Sequence, residues 1–313
     1  MKRQAEYVRE ISMAVRGRLS ELSIQVSKTR SVWLIIVLAC LLLSAALFGM
    51  PPHKAYAASD SRVSLHAATA DTAVNTQAST SAKTKNLDKF IGLDKSVYVL
   101  ANAKKKVYVF KSPSKKAKRL GSFTKNNCIV VDTADMRKGA RYKWLKVKLK
   151  GSARGYILAS DVSLLTLDTK TFGVNASTAK GKMRIKICKK GLPYLGAKWV
   201  RNGSSMSKGI VCFQYAWQCL AASGLSIDKS CMSVKGLATV GKEISRKRLQ
   251  PGDIVVYRKS TRTKKPSHIA IYIGNGLIIN SSGAQGTNYP AGGIRISKLG
   301  YRSPGPFMFR TIF

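Results

Sequence analysis

The chain has 313 residues, 45% of them hydrophobic, which is enough for two packed domains. Its 55 Lys and Arg residues outnumber its 14 Asp and Glu residues, so the formal net charge is +41. This charge predicts an anionic partner: nucleic acid, an anionic membrane surface or a cell wall that carries phosphate or carboxylate polymers. Of the six cysteines, Cys40 lies in the apolar leader, and the odd number that remains, without metal-type spacing, argues against zinc and against a disulfide framework. Zero, one or two bridges stay open, and no metal or cofactor is expected.

Residues 1–57 are predicted to direct export. Basic residues precede the uncharged apolar run Val32–Met50, which is long enough to span a bilayer as a helix. An Ala-x-Ala cleavage pattern follows at Ala55–Ala57. This order favours a signal peptide cleaved after Ala57, and the alternative is a retained membrane anchor at 32–50. Both place the rest of the chain outside the cytoplasm, which argues against nucleic acid as the partner.

Residues 58–90 are rich in Ala, Ser and Thr and are predicted to form a disordered linker. Residues 91–164 then predict a small all-β barrel, because short β-rich runs alternate with turn residues, at 96–100, 106–110, 128–131, 144–149 and 155–158. The segments KKVYVFKSPSKKAKRLGSF, YKWLKVKL and RGYILASDV resemble the bacterial Src-homology-3-like domain. That resemblance implies binding of cell-wall peptides or positioning of a catalytic domain. A spacer barrel without a ligand is the alternative.

A second polar linker is predicted at 165–180, and the last domain at 181–313. In that domain a loop rich in Gly, Ser and Asn enters a helical pattern at Cys212, which Gly224 ends. A cysteine in the first turn of a helix lies near unpaired N–H groups and the positive end of the dipole, and both favour the thiolate. Cys212 is therefore a candidate nucleophile. The alternative is a buried small hydrophobe, as most free cysteines are.

A cysteine nucleophile needs a base, and His268 is the candidate. His53 lies at the export junction and His66 in the predicted linker, whereas His268 begins an alternating strand. Alternation places His268, Ala270 and Tyr272 on one face, and the isoleucines at 269, 271 and 273 on the other, toward the core.

The turn after this strand decides whether Asn280 can reach His268. A two-residue turn at Asn275-Gly276 places Asn280 opposite Ile271, on the wrong face. A three-residue turn with Gly276 in the left-handed region places Asn280 opposite Ala270, next to His268. We therefore expect the three-residue turn, in which Asn280 orients the imidazole as the third member of a Cys-His-Asn site.

Taken together, these residues resemble the NlpC/p-sixty family of cell-wall cysteine peptidases. The family's stretch LGxPYxWGG, a short Ser/Thr-rich link and DCSGF align without gaps on 195–215, and further matches are LQPGDIVVY at 249–257, SHIAIYIGNG at 267–276 and IRIS at 294–297. The resemblance implies an α+β papain-like fold. It also implies the roles of nucleophile for Cys212, base for His268 and orienter for Asn280.

The sequence departs from the family beside the nucleophile. Trp199 stands where the family has the Tyr whose hydroxyl helps to bind the oxyanion, and Val211 and Phe213 replace an Asp and a Ser associated with recognising the amine end of the substrate. Trp199 and Phe213 are therefore the candidate oxyanion- and substrate-binding residues, and an altered choice of substrate is expected.

The function implied by the resemblance is that of a secreted or wall-associated peptidoglycan hydrolase. It would cleave an amide of the stem peptide, with the γ-D-glutamyl–diamino acid bond as the expected target, while the basic surface holds it on anionic wall polymers. Two alternatives are an amidase or acyltransferase on another cell-surface amide and an inactive wall-binding adaptor. No nucleic-acid partner is expected, because neither domain shows aromatic-basic stripes that stack bases.

Overall fold

The computed structural model describes residues 84–285, 287 and 289–313, so the predicted export segment and most of the first linker lie outside the described residues. Within these ranges, none of the helices has the length and apolarity needed to cross a bilayer. The helices are α1 (Ala179–Lys190), α2 (Cys212–Ala221) and α3 (Val234–Leu237). The strands are β1 (Lys85–Asn86), β2 (Val97–Ala103), β3 (Val107–Phe110), β4 (Arg119–Phe123), β5 (Asn127–Val130), β6 (Arg141–Tyr142), β7 (Trp144–Lys148), β8 (Arg154–Leu158), β9 (Val162–Asp168), β10 (Ser204–Ser205), β11 (Gly209–Ile210), β12 (Lys242–Ile244), β13 (Ile254–Ser260), β14 (Thr263–Gly274), β15 (Leu277–Ser282), β16 (Gly293–Lys298) and β17 (Pro306–Thr311).

Residues 84–168, which we call the β module, form two packed groups of strands. One is a four-stranded antiparallel sheet in the order β4-β3-β8-β7, and the other comprises β5, β2 and β9 of a larger sheet. Alternation along β7 points Leu145 and Val147 into the core between the two groups. A bridge between Val131 and Val147 joins the groups at one side. The predicted all-β character is thus present, and the assignment to the Src-homology-3-like class stays a prediction.

The β module begins earlier than the sequence predicts. Lys85 and Asn86 pair with Tyr142 and Arg141, within the segment predicted as a linker. The next turn buries Leu87 and Phe90, which are 1% and 6% exposed, in the core of the module. These two apolar side chains meet because they lie three residues apart around one 3₁₀ turn. Residues 84–90 therefore belong to the module and not to a linker.

The second predicted linker, 165–180, is regular at both ends, whereas 169–178 form turns and coil. β9 continues to Asp168 and pairs along its whole length with β2. Thr178 caps α1 by accepting a hydrogen bond from the N–H of Gly181, so the helix starts at Ala179. We call residues 179–313 the C-terminal module.

A single nine-stranded sheet runs through both modules, in the order β12-β17-β13-β14-β15-β16-β5-β2-β9. The junction is the antiparallel pair of β16 and β5, with Ile296 opposite Cys128 and Ser297 opposite Asn127. The Ser297 hydroxyl also donates a hydrogen bond to Asn127 Oδ1 at 2.8 Å. Two units that the sequence predicts as separate domains are thus joined by backbone hydrogen bonds.

The helices of the C-terminal module cover one face of this sheet. Tyr215, Ala216, Cys219 and Leu220 of α2 pack in one core with the isoleucines at 269, 271 and 273 of β14. Ala270 and Tyr272 lie on the opposite face, in a smaller cluster with Tyr257 and Tyr301. The predicted alternation of this strand is confirmed, and helices segregated on a mostly antiparallel sheet give an α+β module.

The hairpin of β14 and β15 has the predicted register, but a different turn produces it. Asn275 and Gly276 form a two-residue turn between Gly274 and Leu277, and both have positive φ, 52° and 69°. The register then shifts by one residue between Tyr272 and Gly274, so Ile271 lies opposite Ile279. The expected three-residue turn is therefore wrong. Gly274, with φ of 89°, accommodates the extra residue in the strand instead.

Candidate active site

Cys212 is the first residue of α2, and the loop before it is fixed by hydrogen bonds. The N–H of Val211 donates to the carbonyl of Gly203 at 2.9 Å, and the Ser281 hydroxyl donates to the carbonyl of Ile210 at 2.6 Å. Ser281 is the neighbour of Asn280 on β15. The start of the helix is therefore attached to the strand that carries the predicted orienter.

The Cys212 thiol lies in a closed environment, with only 6% of the residue exposed. Burial raises the pKa of this thiol, against the nearby N–H groups of Ile269 and Phe213 and the charge of Arg302. The sequence predicts a thiolate favoured by the helix start. Burial acts in the opposite direction and favours the neutral thiol.

His268 and Asn280 are in direct contact on neighbouring strands. Asn280 Oδ1 lies 3.1 Å from His268 Nε2, and the Asn280 amide nitrogen donates to the carbonyl of Arg295 at 3.5 Å. Because the amide nitrogen is used by that carbonyl, the oxygen faces the imidazole, and Nε2 must carry the proton. The arrangement therefore leaves the lone pair on Nδ1, the nitrogen free to act as a base.

Tyr301 is a site residue that sequence reasoning missed. Its hydroxyl lies 2.9 Å from His268 Nε2, 3.1 Å from Asn280 Oδ1 and 3.3 Å from Ser282 Oγ. The oxygen can accept the Nε2 proton while the hydroxyl donates to Asn280 or to Ser282. Tyr301 thus favours the same tautomer of His268 as Asn280 does. It lies in an irregular segment between β16 and β17, where no periodic pattern marks it.

Two arginines add positive charge beside His268. Burial of the ring, together with the charges of Arg302 and Arg295, holds the pKa of His268 well below its ordinary value, against the hydrogen bond that the ring donates to Asn280. Arg295 is itself buried and donates to the Ala291 carbonyl at 2.5 Å and to Ser282 Oγ at 3.2 Å. The imidazole is therefore neutral over a wider range of pH than an exposed histidine is.

The two remaining predicted residues lie differently with respect to this group. Phe213 directly follows Cys212, and its backbone N–H lowers the pKa of the Cys212 thiol, while its half-buried ring packs against the core under α2. Trp199 is half-buried in the coil after Gly196, and within the described residues no hydrogen bond joins it to Cys212, His268 or Asn280. The structure thus brings four of the five predicted residues together.

The other cysteines do not extend the site. Within the described ranges Cys128, Cys188, Cys212, Cys219 and Cys231 are all free thiols. In that part of the chain, no group of three or more His, Cys, Asp or Glu side chains is arranged so that it could hold a metal ion.

The arrangement just described belongs to a domain of known type. Residues 196–297 match the NlpC/P60 family, and this range contains Cys212, His268 and Asn280 but ends before Tyr301. The C-terminal module is therefore built around an NlpC/P60 domain, with the papain-like fold of that family.

One curated relative is similar to this domain. It is the bifunctional muramidase/DL-endopeptidase CwlT of Bacillus subtilis (strain 168), which is 29% identical over 122 residues. The match covers 38% of this chain and 36% of the relative, so the chain spans about a third of the length of the curated relative that it matches.

Solved structures of the family are also similar. An NlpC/P60 family protein from Bacillus cereus ATCC 10987 is 18% identical with a TM-score of 0.36, and the match covers 69% of this chain and 63% of that protein. NlpC2 from Trichomonas vaginalis is 16% identical with a TM-score of 0.34, covering 69% and 72%. The NlpC/p60 domain of the peptidoglycan hydrolase SagA is 19% identical with a TM-score of 0.33, covering 41% and 97%.

Proposed function

We propose that the chain is a peptidoglycan hydrolase that cleaves an amide bond of a cell-wall stem peptide by nucleophilic catalysis at Cys212. The observation that carries this proposal is the contact of His268 with Asn280 beside a cysteine at a helix start. The family of the domain and the activity of the B. subtilis relative, a muramidase/DL-endopeptidase, support peptidoglycan as the substrate. The expected bond is the γ-D-glutamyl–diamino acid amide.

The first step starts from a neutral pair. His268 Nδ1 takes the proton of the Cys212 thiol while the sulfur attacks the amide carbon, so that a C–S bond forms and the carbonyl oxygen becomes an oxyanion. A neutral imidazole with a lowered pKa fits this role of general base, because it is unprotonated when the substrate binds. The backbone N–H groups at the start of α2 and the indole of Trp199 are the proposed oxyanion donors.

Asn280 and Tyr301 act once His268 has taken the proton of the thiol. The imidazolium formed by proton transfer carries a proton on each nitrogen, and Asn280 Oδ1 and the Tyr301 oxygen accept the one on Nε2. His268 Nδ1 then gives its proton to the leaving amine as the C–N bond breaks. Water attacks the thioester, releases the carboxylate product and returns the thiol to Cys212.

The substrate is proposed to differ in detail from that of other family members. Val211 and Phe213 replace polar residues directly before and after Cys212 in the chain. Their apolar side chains favour a neutral group of the substrate at this position, since a charged amine would be desolvated there without a partner. This observation also supports the second candidate, an amidase or acyltransferase on another cell-surface amide.

The location and the anchoring are proposed as well. A substrate in the cell wall requires export, for which residues 1–57 would serve as signal peptide or anchor. The high positive charge would hold the enzyme on anionic wall polymers, and the β module would act as a Src-homology-3-like wall-binding domain.

The experiment is digestion of diaminopimelate-type peptidoglycan, with the soluble products identified by mass spectrometry. The native chain should release stem-peptide fragments, and Cys212→Ala should release none. Cys231→Ala is the matched control, because it removes a half-buried free thiol in the 3₁₀ turn at 229–231 and should leave the products unchanged. Wall binding without any cleavage by the native chain would contradict the proposal and favour an inactive adaptor.

A further inference from the structure

The β module carries a groove that the proposed reaction does not use. The groove has a volume of about 940 Å³ and lies between the β3–β4 hairpin, the start of β7 and the turn after β8. Five of its lining side chains are basic, namely Lys105, Lys106, Lys115, Arg119 and Lys143. Asp161 is the acidic residue among the lining, so the groove is strongly cationic.

Most of this charge is not neutralised by the protein. Asp161 is engaged by Lys105, whose Nζ lies 2.9 Å from the carboxylate. Within the described residues, Lys115, Arg119 and Lys143 form no ion pair with an acidic side chain. Several like charges held close together without counter-charges repel one another, and an anionic ligand relieves this repulsion.

An aromatic ring holds two of these cations in place. Arg119 lies over the ring of Tyr108 with its guanidinium carbon 4.4 Å from the centroid, and Lys106 Nζ lies 5.2 Å from it. Tyr108 is one of the few large hydrophobic residues that are exposed, at 37%. The cation–π contacts order two long side chains before any ligand arrives, which lowers the entropic cost of binding.

The depression continues from the β module onto the C-terminal module. A second cavity of about 420 Å³ shares Tyr108 and Arg119 with the groove, and its far side is formed by Tyr289 and Ala291. The carbonyl of Ala291 accepts the hydrogen bond of Arg295, which is close to His268. A ligand that fills both cavities therefore extends across the junction of the modules.

We propose that this groove binds a linear polyanion with closely spaced negative charges, the chemistry shared by phosphodiester and uronate polymers. A chain-like ligand fits because five basic side chains line one open groove, which adjoins a second cavity at Tyr108 and Arg119. The presence of such a polymer at the cell wall depends on the proposed function, but the binding itself does not.

A nucleic acid has the same charge and fits less well. Binding of single strands requires exposed aromatic faces on which bases stack. The Arg119 guanidinium lies over the Tyr108 ring, and Trp144 packs edge-on against Phe110 with centroids 5.6 Å apart. The groove therefore offers more unpaired charge than free stacking surface.

The test is a calorimetric titration of the full chain with poly(glycerol phosphate), polygalacturonate, single-stranded DNA and uncharged dextran in about 0.1 M salt. These polymers contain no stem peptide, so the result does not depend on hydrolysis. The variant Lys115→Ala/Arg119→Ala/Lys143→Ala removes three unpaired groove charges. The control Lys95→Ala/Lys125→Ala/Lys138→Ala removes three exposed charges of the same module outside the groove.

The groove variant should weaken binding of one or both anionic polymers about tenfold, since exposed ion pairs each contribute modestly, and the control variant less than about twofold. Whichever of the two polymers binds more tightly identifies the source of the anion. Equal weakening by both variants would show that charge over the whole surface binds the polymer, and would overturn the assignment to the groove. Equal or tighter binding of DNA would overturn the polymer class. If thermal melting shows the triple variant unfolded, Lys143→Gln and Tyr108→Ala replace it, and each should weaken binding about twofold or more.

Discussion

The groove of the β module and the candidate active site use charge in opposite ways. In the groove, most cations are exposed and lack an acidic partner, so their effect extends into solvent and salt screens it. In the active site, Cys212, His268 and Asn280 are buried, and two arginines act on them through a protein interior where screening is weak. The comparison shows that one strongly basic chain can use exposed cations to attract a polyanion over a long range and two arginines beside a buried site to control proton transfer.

Removal of the proposed base should give the largest difference between the two regions, because hydrolysis should be lost while polymer binding is kept. His268→Ala should lower kcat/KM for stem-peptide hydrolysis by about 10²–10⁴-fold, because the thiol then has no proton acceptor. Binding of an anionic polymer should remain unchanged, as measured by the same calorimetric titration. His66→Ala is the control for loss of a histidine elsewhere. Full hydrolysis by His268→Ala would show that another group is the base.

The loss of one hydroxyl should give a smaller effect within the active site. Tyr301→Phe should lower kcat about tenfold with KM nearly unchanged, since the hydroxyl supports the imidazolium and does not bind substrate. The acid limb of the pH profile should also move, which a merely structural role would not explain. Tyr142→Phe removes a hydroxyl of the β module that hydrogen-bonds Arg137, and it serves as the matched control. Equal kinetics for Tyr301→Phe and the native chain would exclude this positioning role.

A single charge near the site should change the pH dependence. Arg302 lowers the pKa of both Cys212 and His268, so Arg302→Gln should raise both. Hydrolysis requires neutral His268, which is lost as pH falls below its pKa. The acid limb of kcat/KM should therefore move to higher pH, with a loss of less than about tenfold at acidic pH and little change near neutrality. Arg262→Gln, at the exposed β13–β14 turn, should leave the limb in place. A shift to lower pH would contradict the assigned direction.

Salt should give the smallest effect on chemistry. Raising the salt from about 0.1 M to 0.5 M should release the chain from anionic polymers while changing hydrolysis of a short soluble stem peptide by less than about twofold. Parallel measurements of polymer binding and of peptide hydrolysis test this difference. Equal salt sensitivity of both would show that the buried site depends on surface charge after all.

Much of the site could be predicted because its residues are arranged by local rules. The helix at Cys212, the outward face of His268 and the register of Asn280 follow from helical spacing, strand alternation and one short turn. The turn itself was predicted incorrectly. The sequence pattern does not distinguish a three-residue turn from a two-residue turn that is followed by an extra residue at Gly274.

The features that could not be predicted depend on contacts between distant segments. Tyr301 reaches His268 from an irregular stretch 33 residues further along the chain, with no periodicity to indicate its direction. The pairing of β16 with β5 joins residues about 170 positions apart. The raised pKa of Cys212 results from burial by several elements, whereas the sequence shows only the helix start.

The junction of β16 and β5 has a consequence for any attempt to isolate the C-terminal module. Without the β module, β16 would become the edge of its sheet, and the backbone groups at Ile296 and Ser297 would lose their partners. An exposed edge beside buried apolar side chains is a template for pairing with another chain. The same cut would free Gly300, whose carbonyl now accepts a hydrogen bond from Asn126, directly before Tyr301. The excised C-terminal module would thus tend to aggregate, and the contact of Tyr301 with His268 would be less firmly held.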